Sequence, residues 1–129
     1  MASIAPRGKT KESIALTAFF KIAEKWGLTT RQQKILLGLA NDSTFYNYQR
    51  APEGARIDCD KLERISYILG IFKDLQILFS DQKSILEWIK KPNGAEPFCG
   101  KSALDFMTER GRIIDLYRVR QYLASQRGV

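Results

Sequence analysis

Residues 88–107 read WIKKPNGAEPFCGKSALDFM, and this stretch decides how the second half of the chain is organised. Pro92 cannot continue a helix, and it disfavours helical geometry at Lys91, so a helical segment must end there. Gly94, Pro97 and Gly100 then punctuate a short loop, and Ser102 is a good N-cap for a new helix. Asp105 falls in the first turn of that helix, where a negative charge suits the helix dipole. The pattern is a helix-loop-helix corner, and by itself it fits an ordinary structural turn.

The corner sits in a chain of 129 residues with 44% hydrophobic and 27% charged residues, the size and make-up of one globular domain or two small helical units. The first eleven residues lead into no apolar run, and no stretch approaches the ~20 apolar residues of a membrane span. A cytoplasmic protein is expected. Cys59 and Cys99 are its two thiols, far apart in sequence, and reduced, unpaired cysteines are expected. Histidine is absent, which excludes His-dependent triads and Cys/His zinc sites. No paired acidic cluster or Gly-rich phosphate loop argues for catalysis, and no cofactor or metal is expected.

The net charge is +7, and it is uneven. Residues 1–50 carry eight Lys/Arg against three acids, a net +5; residues 51–129 carry thirteen against eleven, a net +2. A basic excess concentrated in one half attracts polyanions. Residues 1–11 read as a disordered basic arm.

No stretch alternates with the period of a strand, so the chain reads as all-α. Ala15, Phe19, Ile22, Ala23 and Trp26 keep helical spacing over residues 12–26, and Gly27 ends that helix. A second helix is expected from Thr29-Thr30, with Thr30 and Gln33 at capping-box spacing and Ile35, Leu36 and Leu39 inward. Leu37-Gly38-Leu39 closes it, and Asp42 or Ser43 caps a short third helix with Phe45 and Tyr48 facing the core. Ser43, Thr44, Tyr46, Asn47 and Arg50 then point outward, a polar set with almost no acid. A plain helical hairpin would show the same spacing, but two short helices with such an outward face also fit the helix-turn-helix plan. Residues 51–59 read as a loop. Asp60 is expected to cap a fourth helix ended by Gly70, with Glu63 and Arg64 in solvent; residues 71–79 give a fifth. Asp81 caps a sixth, and the segments after the corner break at Gly111.

The run TTRQQKILLGLANDSTFYNYQ, residues 29–49, resembles Xre/Cro-like helix-turn-helix proteins. The resemblance implies that Gln32 and Gln33 lie close to phosphate and that Ser43, Thr44, Tyr46 and Asn47 face base edges. Arg50 would meet phosphate or a base. Asn47 stands where relatives often carry a basic residue. Residues 88–107 resemble the toxin-binding segment of the Xre/MbcA/ParS antitoxins through Trp88, Ile89, Pro92, Asn93, Phe98, Gly100, Lys101, Ser102, Leu104 and Asp105. The loop over residues 94–97 is longer than in most relatives, and Ala103 replaces a typical Pro. The order of the two segments is the family's own.

This resemblance implies an N-terminal helix-turn-helix domain over residues 12–80 and a toxin-binding domain over residues 81–129. It implies a type II antitoxin that is not an enzyme, with a cognate RES-type toxin and operator DNA as partners, dimerisation, and repression of its own operon. Such a toxin consumes NAD, and the antitoxin covers its active-site cleft. Toxin contact is expected from Lys101, Ser102 and Asp105 at the corner and from Arg118, Arg120 and Arg127 on the last helix. Trp88, Pro92, Phe98 and Leu104 are expected to build the corner. A stand-alone dimeric helix-turn-helix regulator, whose second half only dimerises, is the other reading.

Overall fold

A computed structural model describes residues 10–128, and among them the chain is entirely helical apart from turns and one isolated bridge. It divides into two compact units, Met1–Ser66 and Tyr67–Val129. The basic arm lies outside the described residues except for its end, where Thr10 caps the first helix.

In the first unit, helix α1 spans Lys11–Trp26, with the Thr10 hydroxyl accepting from the Ser13 amide and Gly27 closing it at φ 65°. Leu16, Phe19, Ile22, Ala23 and Trp26 form its buried stripe. Helix α2 spans Thr30–Leu37 and helix α3 spans Asp42–Arg50. The capping box of α2 is formed by Thr29 with Gln32, one residue earlier than the spacing of Thr30 and Gln33 suggested. Asn41, not Asp42 or Ser43, caps α3, its side-chain carbonyl accepting from the Thr44 amide. Each shift has one cause: the cap is the last residue with extended backbone, and a neighbouring side chain of similar chemistry cannot be told from it by spacing. Phe45 and Tyr48 fill the inner face of α3, and the Phe20 ring meets Phe45 edge-on at 5.8 Å.

Helix α4 spans Cys59–Leu78 without a break, and the division between the units falls within it. The expected cap at Asp60 is corrected to Asp58, whose carboxylate accepts from the Lys61 amide at 3.0 Å. That hydrogen bond, aided by the Lys61 charge, holds the Asp58 carboxyl below its ordinary range. The expected stop at Gly70 is also corrected. A methyl at Gly70 would meet the Arg120 Nε at 2.1 Å, so this glycine makes room for a crossing side chain rather than ending the helix. Arg64, read as solvated, instead lies over Gly38, bonds the Asp60 carboxylate at 3.1 Å and donates to the Ile35 carbonyl at 3.4 Å.

In the second unit, helix α5 spans Gln82–Lys90, α6 spans Ala103–Glu109 and α7 spans Ile113–Gln126. The Asp81 carboxylate caps α5 through the Ser84 amide at 2.7 Å. Phe98 is the centre of the unit's aromatic core: fully buried, it meets Trp88, Phe106 and Tyr122 edge-on at 5.9, 5.6 and 5.1 Å. Trp88 stacks on Tyr122 at 6.3 Å. Asp74, on the α4 face one turn beyond Gly70, is fully buried and carries two cations. Arg120 Nη1 donates to its Oδ2 at 2.5 Å, and Arg127 Nη1 to its Oδ1 at 2.7 Å.

Two outcomes are expected in urea unfolding of the purified chain. Phe98→Ala removes the ring that three other rings pack against and destabilises by about 3–5 kcal/mol. Replacing Arg120 and Arg127 together by Met leaves a buried carboxylate unpaired and costs about 3–5 kcal/mol. Asp74→Asn costs less, because side chains already 31% and 23% exposed can turn their charges to water. The opposite order of the last two would refute the arrangement.

Candidate functional site

The first candidate surface is the outer face of α3. Ser43, Tyr46, Asn47, Gln49 and Arg50 are exposed there, and Thr44 is half-buried. The helix is short and polar, with only Phe45 and Tyr48 buried, so its exposed positions are open to a partner. Tyr46 leans edge-on against Phe45 at 5.3 Å, which directs a large amphipathic ring outward. The Asn47 side-chain carbonyl accepts from Arg50 Nη2 at 2.6 Å, so the guanidinium is positioned by a neutral partner. It makes no ion pair among the described residues. Lys34 of α2 pairs with Asp42, which fixes the approach of α3 to α2 across the Gly38 turn.

Gln32 and Gln33 sit differently from the rest of that set. The Gln32 side-chain carbonyl accepts from the Thr29 amide at 2.9 Å, and Gln33 Nε2 donates to the Leu28 carbonyl at 3.1 Å. Both therefore fasten the start of α2. Arg31, which sequence reading passed over, is exposed in the first turn of α2, where no acid is present. A cation in that position opposes the helix dipole and gives nothing to the fold, and that is the signal that could have singled it out.

The second candidate surface is the corner. Pro92 and Ser102 face each other in an antiparallel bridge, and Asn93 closes it. The Asn93 amide donates to the Lys101 carbonyl at 3.1 Å, its carbonyl accepts from Gly100 at 2.8 Å, and its side chain accepts from the Ala95 amide at 2.9 Å. The first two bonds are backbone bonds open to any residue but proline, and the side-chain bond to Ala95 is what asparagine adds at this position. Gly100 takes φ 92°, a conformation that glycine adopts without strain. Ser102 is buried as the N-cap of α6, its hydroxyl accepting from the Asp105 amide at 3.0 Å. Its expected partner contact is corrected on that ground: the side chain faces the helix start.

Lys101 and Asp105 are exposed. Lys101 pairs with Glu109 at 2.9 Å, and this hydrogen bond raises the lysine pKa. On α7, Arg118 is exposed with its guanidinium 5.8 Å from the centre of the Phe106 ring. Arg120 and Arg127 reach the buried Asp74 and stay partly exposed, so both of these expected contact residues are anchored to the fold by one carboxylate. A groove of about 270 Å³ lies beside the corner, bounded by residues 97–101, the end of α6 and the start of α7. Arg112 holds the buried Asp115 there with two hydrogen bonds, Nε to Oδ2 at 3.1 Å and Nη2 to Oδ1 at 2.9 Å. Among the described residues, no helix is long and apolar enough to cross a membrane.

Residues 6–70 match the antitoxin Xre-like helix-turn-helix domain, and residues 74–128 match the antitoxin Xre/MbcA/ParS C-terminal toxin-binding domain. The chain is also 47% identical over 113 residues to an uncharacterized protein, y4oB, of Sinorhizobium fredii (strain NBRC 101917 / NGR234), covering 88% of this chain and 84% of that one. The two matched domains are non-enzymatic binding domains and they follow one another in the order the two surfaces require. The chain belongs to the Xre/MbcA/ParS family of antitoxins.

Proposed function

We propose that this antitoxin binds its operator through α3 and neutralises a RES-type, NAD-consuming toxin through the corner and the outer face of α7, acting as a homodimer. The observation that carries the reading is the pairing of an acid-poor recognition face with a rigid corner in the order of the two family domains. On DNA, α3 enters the major groove, Ser43, Tyr46 and Asn47 read base edges, and Thr44 supports them from its half-buried position. Arg50 and Arg31 meet phosphates on either side of that helix, while Gln32 and Gln33 keep the N-terminus of α2 in place beside the backbone.

On the toxin, Lys101, Asp105 and Arg118 supply the contacts. Ser102 acts one step back by capping the helix that presents Asp105, and Arg120 and Arg127 fix the end of α7 through Asp74. Covering an active-site cleft needs complementary shape and a few buried anchors, and no group in this chain has to perform chemistry.

Two outcomes test the halves separately. Arg50→Glu lowers affinity for the upstream operator at least tenfold, and the wild-type binding constant falls steeply with salt while the variant's slope is shallower, as measured by fluorescence anisotropy. Equal affinity and equal slope would remove α3 from the DNA interface. Co-expression with the product of the adjacent gene restores growth and yields a co-purifying complex. The Lys101→Glu, Asp105→Lys pair of changes abolishes both effects at an unchanged melting temperature. A matching loss of thermal stability would mean that the corner is only structural.

A further inference from the structure

The groove beside the corner has a floor and a rim of different chemistry. Phe106, half-buried and backed by the buried Phe98, supplies the apolar floor, and Lys101, Arg110 and Arg112 supply cations around it. The first and third already carry partners, Glu109 and Asp115. Arg112 uses Nε and Nη2 on Asp115, so its Nη1 edge remains turned away from that carboxylate. Arg110, the exposed C-cap residue of α6, makes no ion pair among the described residues. Three cations against two carboxylates leave the lining with one positive charge in excess. Lys101 also feels the Arg110 charge as a repulsion, which an incoming anion relieves.

We infer that this groove receives one acidic side chain of the toxin, an Asp or Glu on a segment whose neighbouring apolar group rests on Phe106, with Arg110 as its principal partner. The inference rests on the antitoxin reading and adds the chemistry of the contact. Size and charge select the occupant. Small-molecule sites enclose roughly 300–1,000 Å³, and 270 Å³ is room for one or two side chains rather than a dinucleotide. A single carboxylate balances the excess charge, whereas a phosphate dianion would overshoot it beside Glu109 and Asp115. Arg110 lines the groove, and Arg112 is held in one orientation by Asp115, so one of the two donors has little rotamer entropy left to lose.

The two free, exposed cysteines make the test direct, because Cys99 lines the groove and Cys59 lies outside it. The probe is the purified product of the adjacent toxin gene. Saturating toxin is expected to slow maleimide labelling of Cys99 at least tenfold relative to Cys59. Arg110→Glu is expected to raise the Kd for the toxin at least tenfold in titration calorimetry at an unchanged melting temperature. Arg110→Lys stays within about threefold, and Lys83→Glu on the exposed face of α5 within twofold. The inference is overturned if Arg110→Glu binds like wild type, or if Cys99 labels at the same rate in the complex. It is equally overturned if NAD or inorganic phosphate alone protects Cys99, which would make the groove a small-anion site. Failure of the wild-type chain to bind the toxin would remove the antitoxin reading itself, an outcome distinct from these.

Discussion

The second unit depends on one buried carboxylate. Asp74 has no exposed surface, and a buried charge without a partner is costly, since removing an ion from water costs several kcal/mol even after relaxation. Arg120 and Arg127 offset that cost by reaching it from one side of α7 and from just past its last turn. Two consequences follow. Gly70 leaves the space for this crossing, because the Arg120 Nε lies 2.1 Å from where a Cβ would stand and Asp74 holds that guanidinium in place. The rotation of α7 about its axis is also fixed, since two arginines seven residues apart must converge on the same carboxylate. With that rotation set, Leu116, Val119 and Leu123 face the core, and Arg118 faces outward over Phe106.

The first unit repeats the device on a smaller scale. Arg64 passes over Gly38, whose φ of 74° already ends α2, and it bonds the Ile35 carbonyl near that helix end. Cations are favoured at helix C-termini because the last carbonyls lack partners, and here the cation comes from a different helix. The Lys34–Asp42 pair then spans the turn from the other side. The short helix α3 has only two buried residues of its own, so its angle is set by these flanking contacts as much as by its core. A recognition helix held at its root, with its outer positions unburdened, can vary in sequence without loss of the fold.

The helices were legible because each has an apolar stripe of period 3.6 and a capping residue near the expected start. The corner was legible as a turn because Pro92 and Ser102 act locally. What escaped the sequence has a common physical origin, namely pairing over long sequence distance. Gly70 looks like a breaker in a local window, and only Arg120, fifty residues on, shows it to be a crossing point. Arg64, Arg120 and Arg127 look like solvated charges on periodicity alone, yet each is claimed by a group on another helix. Ser102 was read both as a cap and as a contact, and burial leaves it the first role. Arg110 was passed over because an exposed arginine carries no pattern, and Arg31 because its one signal, a cation in the first turn of a helix, is a weak one. Their significance appears only when the other cations have been assigned to partners.

That assignment bears on what the charge of +7 can do. Net charge counts every lysine and arginine alike, but a cation locked to a carboxylate presents little field to a partner and adds little to affinity. Lys34, Arg64, Lys101, Arg112, Arg120 and Arg127 all carry such partners. Arg50 is held by a neutral amide, Arg118 by an aromatic face, and Arg31 and Arg110 by no carboxylate among the described residues. Two of these four lie on the helix-turn-helix and two beside the corner, and Arg56 of the first unit is a further exposed arginine with no ion pair among the described residues. The basic excess of the first fifty residues suggested one polyanion-binding half, but arginines without a carboxylate partner are present in both units. Both units therefore keep cations whose field is open to a partner of opposite charge.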